Sequence, residues 1–216
     1  MSSLITLTNP RSPVSEAYRT LRTNLSFYSL DNPLRSLVVT SAAPEEGKST
    51  TIANLAVTMA QSGRKTILVD CDLRRPSLHT LFNLENNAGF TNMMLDENAA
   101  APLQKTEVEN LWVLTSGPKP PNPADLLGSR QMDRVIETLA GQADLVLFDA
   151  PPVVAVTDAV VLGAKVDGVL LVVSAGKTRR DHAEKAKQIL EKANVRIIGV
   201  TLTNAPKDTS LSDYYG

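Results

Sequence analysis

A single cysteine, Cys71, leaves the 216-residue chain without any internal disulfide. That excludes a disulfide-stapled scaffold and makes a reducing cytosol the economical compartment. Histidines are almost as scarce: His79 and His182 lie far apart with no Cys/His cluster beside them, and both read as ordinary surface or packing residues. No excess of one charge exists either. Lys+Arg 22 stand against Asp+Glu 23, a formal net charge of -1, so the general electrostatics of a nucleic-acid binder are not indicated. The most apolar region, Leu145 to Ala175, is broken by Asp149, Asp158, Lys165 and Asp167. No uninterrupted apolar run reaches the roughly 18 residues of a membrane span. Met1 to Arg11 has no apolar core behind basic residues and does not read as a signal peptide. There is no internal repeat.

What is present is globular: 43% hydrophobic and 21% charged residues. At about 100 to 200 residues per domain, the expectation is one compact unit over residues 1–204. The remainder, 205–216, is polar apart from Ala205, Leu211 and two tyrosines, and reads as a flexible tail. Ala17, Leu21, Leu25 and Tyr28 recur at helical spacing, with Ser12 or Ser15 as the cap. Strand-like runs follow at Ser36 to Ser41, Thr66 to Val69, Leu111 to Leu114, Leu145 to Phe148, Gly168 to Val173 and Arg196 to Leu202. Helical patterns lie between most of them, at Lys48 to Ser62, Gln131 to Ala140 and Arg180 to Ala193. This alternation predicts an α/β fold, a doubly wound, mostly parallel sheet with helices on both faces, because strands such as Val169 to Val173 need cover on both sides. Asn83 to Thr106 shows only scattered apolar residues and reads largely as surface connection.

Three segments carry chemistry. The loop Ala42-Ala43-Pro44-Glu45-Glu46-Gly47-Lys48-Ser49 follows a strand, opens a helix, and lacks only the first glycine of the phosphate-binding loop. Its N–H groups would face phosphates, Lys48 would supply a point charge, and the Ser49 hydroxyl a Mg²⁺ ligand. The bland alternative is a chance G-K-S at a helix start. After the next strand, Asp70 and Asp72 point the same way if the strand continues. Two such carboxylates beside a phosphate loop call for a cation, Mg²⁺ above all. The alternative is a turn with helix-capping aspartates. Third, the apolar strand before Asp149, stopped by Pro151 and Pro152, has the form of a metal site of Walker B type. Arg74 and Arg75 are placed to neutralise a transferred phosphoryl group or else sit on the surface. Asn204 follows the last strand where an adenine would lie, no N-K-x-D guanine reader is present, and ATP is preferred to GTP.

Ser41 to Thr50, Asp70 to Pro76 and Asp149 to Pro152 together resemble the Walker A, A′ and B motifs of bacterial tyrosine kinases, the cytoplasmic kinases of capsule and exopolysaccharide export. Glu16-x-x-Arg19-x-x-Arg22 and Gly117 to Leu127 extend the resemblance over nearly the whole chain. It implies a P-loop NTPase fold of the deviant Walker class, with ATP held at Gly47, Lys48, Ser49 and Thr50. Asp70 would be the base that accepts the tyrosine proton, and Ser49, Asp72 and Asp149 would organise Mg²⁺. It further implies that residues 1–30, through Glu16, Arg19 and Arg22, join subunits into a ring, with a solvated helix face as the alternative. Other protein tyrosines would serve as substrates. A transmembrane activator, a polysaccharide co-polymerase on a separate chain or segment, would hold the kinase at the inner face of the plasma membrane. Tyr214 and Tyr215 make sense as phosphate acceptors, against a frayed end with incidental tyrosines. The rival function is a partitioning-type ATPase that switches assembly by hydrolysis. Those relatives carry a signature lysine five residues before the loop lysine, where this chain has Ala43.

Overall fold

Alternating apolar residues on the central strands divide the interior into two cores, one on each face of a seven-stranded sheet. The structure is a computed structural model that describes residues 4–31, 34–96 and 99–206; Tyr214 and Tyr215 lie outside the described residues. The elements run α1 (Ile5–Thr8), α2 (Pro13–Asp31), β1 (Ser36–Ser41), α3 (Lys48–Gln61), β2 (Thr66–Asp70), α4 (Leu78–Phe82), α5 (Phe90–Leu95), β3 (Gln104–Lys105), β4 (Leu111–Leu114), α6 (Pro123–Gly128), α7 (Arg130–Ala140), β5 (Leu145–Asp149), α8 (Asp158–Gly163), β6 (Gly168–Ser174), α9 (Arg180–Lys192) and β7 (Ile197–Thr203). The strand order is β3-β4-β2-β5-β1-β6-β7, parallel except for the β3–β4 pair. This is the doubly wound α/β architecture that the alternation predicts.

On one face Leu37, Leu68, Leu145 and Leu147 pack under α3, whose Thr51 to Ala60 are all buried. On the other, Val38, Val69, Val146 and Phe148 meet α5, α7, α8 and α9. Two covered faces explain why the strands are apolar almost throughout. Outside α3 lies α2; of the two serines expected as its cap, Ser12 supplies it, its Oγ accepting the Ser15 N–H at 3.1 Å. Buried Asn54 of α3 fixes α1, its Oδ1 accepting from Thr6 N at 3.1 Å and Thr6 Oγ1 at 2.8 Å. No helix among the described residues is long and apolar enough to cross a membrane.

The segment from Asn83 to Thr106 departs from the expectation of a surface connection. Phe90, Thr91, Met93 and Met94 are buried, because the six-residue α5 packs beneath the sheet against α7. Gly89 permits that docking: a Cβ there would stand 2.1 Å from the Thr115 carbonyl oxygen. Such an approach requires glycine.

β5 separates β1 from β2, with Val39 and Asp70 both in register with Asp149. The carboxyl ends of β1, β2 and β5 are thus neighbours, and three motifs distant in sequence open onto one edge.

Candidate active site

The loop after β1 turns into α3 through Gly47, at φ +86°, a left-handed conformation that favours glycine. The first N–H groups of α3 have no carbonyl partners within the helix and form an anion-binding terminus. Lys48 does not extend into solvent. Its Nζ lies 2.7 Å from Asp72 Oδ2, 3.3 Å from Asp149 Oδ1 and 3.0 Å from Ser49 Oγ. Burial pulls its pKa down, but the charges of Asp149, Asp72 and Asp70 outweigh that and leave it raised. The ammonium therefore stays protonated.

Asp70 and Asp72 share one side, as strand alternation predicts. The strand pairing of β2 stops at Asp70, yet Cys71 N still donates to the Asp149 carbonyl at 2.9 Å and keeps the extended path. The Cys71 side chain accordingly points into the opposite core, where burial pushes its thiol pKa well up and leaves it a structural residue. Asp70 Oδ2 accepts the N–H groups of Ser77 and Leu78, both at 2.9 Å, at the entrance to α4. Its Oδ1 is buried without a partner, as is Asp149 Oδ2. Burial, reinforced by the Asp149 charge, raises Asp70 to about 7 despite those two N–H bonds and Lys48. Burial raises Asp149 as well, against the pull of Lys48. Asp72 Oδ1 accepts the Arg75 N–H at 3.0 Å.

Three carboxylates thus face one ammonium, with two buried oxygens unsatisfied. Such a site fits a further cation. Among the described residues no three or more His, Cys, Asp or Glu side chains converge as a dedicated metal cage. Mg²⁺ rarely uses one: it is typically held by one or two carboxylates together with substrate phosphates.

Other predicted residues have distinct surroundings. Arg74 is committed to fully buried Asp158, through Nε to Oδ2 and Nη2 to Oδ1, both 2.9 Å, so it braces α8 rather than facing the loop. Arg75 remains exposed. Asn204, in the left-handed region at φ +53°, donates through Nδ2 to Ser174 Oγ at 2.9 Å. Glu16 and Arg19 pair with each other on α2, and Arg19 Nη2 also donates to the Pro10 carbonyl at 2.7 Å. Arg22 turns inward and donates to the Thr58 carbonyl of α3 at 2.9 Å. The motifs in the sequence do not single out Asp158, Glu46, Thr178 or Thr203. Asp158 opens α8 directly after the Walker B segment, a position that could have marked it.

Residues 34–205 match the ParA family, described as NUBPL iron-transfer P-loop NTPase. Tyrosine-protein kinase YwqD of Bacillus subtilis (strain 168) is 46% identical over 213 residues, covering 98% of this chain and 90% of that protein. The crystal structure of the chimerical protein CapA2B2 superposes with a TM-score of 0.91 at 42% identity, over 96% of this chain and 92% of that one. The kinase domain of Escherichia coli tyrosine kinase ETK gives a TM-score of 0.91 at 34% identity, over 97% and 83%. The ParA match covers the wider nucleotide-binding class, and these near full-length similarities narrow it to kinases rather than partitioning ATPases. The chain belongs to the bacterial tyrosine kinases and is a protein-tyrosine kinase of the P-loop NTPase fold.

Proposed function

We propose that the chain transfers the γ-phosphoryl group of MgATP to tyrosine hydroxyls, first those of its own tail, and so regulates polysaccharide polymerisation and export. The observation that carries this reading is the pair of unsatisfied buried oxygens, Asp70 Oδ1 and Asp149 Oδ2, beside Lys48 at a phosphate loop. Gly47, Lys48, Ser49 and Thr50 bind the phosphates through loop and helix N–H groups, and Asn204 faces the base. Ser49, Asp72 and Asp149 would hold Mg²⁺, which when bound neutralises charge on the phosphates. Lys48 would leave the carboxylates for the β and γ phosphates. Asp70, fixed through Oδ2 by two N–H bonds, presents Oδ1 to take the proton of the attacking tyrosine. Exposed Arg75 is the guanidinium available to the transferred group, since Arg74 is engaged elsewhere.

Tyr214 and Tyr215 are the proposed first acceptors. Ten residues from Asn204 to Tyr214 reach at most about 33 to 36 Å, enough to enter a neighbour's site. Glu16, Arg19 and Arg22 of α2 would join neighbours into a ring. The family resemblance supports a transmembrane activator that holds the kinase at the cytoplasmic face of the membrane. Intact-mass and phosphotyrosine analysis of the purified chain, before and after phosphatase and MgATP, tests the reading. Tail phosphotyrosine should appear with MgATP and be absent from Lys48→Met. Normal labelling of the Lys48→Met chain would show that the site is misassigned.

A further inference from the structure

A carboxylate inside a protein is costly unless both oxygens find partners. Glu46, in the middle of the phosphate loop, is 1% exposed. Its Oε2 accepts the Ala43 N–H at 2.9 Å across the turn, and its Oε1 accepts the Thr178 hydroxyl. Having given its one proton to Glu46, Thr178 Oγ1 serves as acceptor for the Ser174 N–H at 2.8 Å. The hydroxyl of Ser174 accepts from Asn204 Nδ2 at 2.9 Å, which orients that amide and leaves its Oδ1 as the acceptor for an exocyclic amine. Thr203, the preceding residue, donates from Oγ1 to the Glu46 carbonyl at 2.8 Å. A closed ring therefore runs from Glu46 through Thr178, Ser174, Asn204 and Thr203 back to Glu46. The contacts span sequence separations of 132 and 157 residues.

We propose that Glu46 is a positioning residue that couples the phosphate loop to the base edge of the nucleotide site through this ring. The inference rests on the reading of the loop as the nucleotide site. Both carboxylate oxygens of Glu46 are engaged within the protein: its side chain fixes the Ala43 turn, and its partners fix the Asn204 amide. A base held by Asn204 then stiffens the loop that holds the phosphates, and a displaced loop loosens the base reader.

The test is calorimetric titration of the full chain with ADP and with GDP, on wild type, Glu46→Gln, Thr178→Val, Thr178→Ser, Asn204→Ala and the Glu46→Gln/Asn204→Ala pair. Glu46→Gln and Thr178→Val should each weaken ADP about tenfold or more, whereas Thr178→Ser, which keeps the hydroxyl, should stay within about twofold of wild type. The double variant should lose no more than about threefold beyond the worse single, the non-additivity of one connected network. The preference for ADP over GDP should shrink in Glu46→Gln, an effect that loop damage alone would not produce. Wild-type affinity in Glu46→Gln, losses that multiply in the double variant, or equal damage from Thr178→Ser and Thr178→Val would each overturn the coupling. If Glu46→Gln does not fold, the Thr178 variants combined with Asn204→Ala give the same readout. Lys48→Ala separates the two levels. If it loses ADP while Glu46→Gln does not, the coupling falls and the site stands; if it binds ADP like wild type, the site falls and the coupling with it.

Discussion

Asp70 combines the two properties that a proton acceptor in a buried site requires, a fixed position and a raised affinity for protons. Its folded value of about 7 lies above the 3.8 of an ordinary aspartate. The sign follows: the folded state holds the proton more tightly, so this group's contribution to stability is present at low pH and is lost as pH rises toward 7. In Asp70→Asn the carboxamide oxygen can still accept from Ser77 and Leu78, while the charge is gone. With MgATP the variant should therefore lose kinase activity; without metal it should gain roughly 1 to 3 kcal/mol at pH 7.5 and show a flatter dependence of Tm on pH between 5 and 7.5. Thermal unfolding across that range checks it, and a Tm below wild type at pH 7.5 would contradict the account. Lys48 is less dispensable to the fold than a lysine at an exposed ligand site would be. Lys48→Met leaves Asp72 and Asp149 without their ammonium, so the ligand-free variant should lose about 3 kcal/mol, less at pH 5 than at pH 8 because burial raises the pKa of Asp149 and its protonated carboxyl needs no cation. Equal Tm deficits at both pH values would mean that the charges are not the cause.

Short elements position the site, and they are the part of the fold that the sequence did not disclose. β1, β2, β5 and β6 are legible as apolar runs ended by polar residues, and α3, α7 and α9 as long periodic stretches. By contrast α4, α5, α6 and α8 have five or six residues each, under two turns, and a face that short shows no periodicity. Yet the entrance to α4 holds Asp70, and α8 presents Asp158 to Arg74. The three chemical motifs were visible because their residue types are unusual at strand ends. The hydrogen-bond ring at Glu46 was not, since nothing in a sequence marks which glutamate will be buried. Arg74→Ala should leave Asp158 buried and unpaired at about 2 kcal/mol, with Asp158→Asn costing less. Urea midpoints of the two variants test that order. Gly89→Ala forces a methyl group against the Thr115 backbone where α5 joins the β4 exit, and should cost about 3 kcal/mol or more. An unchanged midpoint would show that this approach is looser than described.

Assembly is where the roles proposed for the tail and α2 meet. Arg22 anchors α2 to α3 through the Thr58 carbonyl, so its replacement would also disturb helix packing, whereas the contacts of Glu16 and Arg19 are local to α2 and its approach; the cleaner interface test replaces those two. The Glu16→Ala/Arg19→Ala chain should run at lower mass than a dephosphorylated wild-type oligomer in light scattering; an unchanged mass would place the contact elsewhere. Mixing a Lys48→Met chain with an active chain carrying Tyr214→Phe and Tyr215→Phe should put phosphate on the inactive chain. Phosphate confined to chains with Lys48, in demonstrated mixed oligomers, would exclude transfer between subunits. β5 lies between β1 and β2, and Thr203 closes onto the phosphate loop from the last strand. A growing chain that has already made Lys48, Asp70 and Asp72 still has a gap in its sheet where Asp149 belongs, and its loop has no support from β7. Long-range parallel pairing of this kind forms late. The proposed nucleotide site is thus incomplete on a nascent chain until β7 has left the ribosome, and a chain broken off before β7 never completes it.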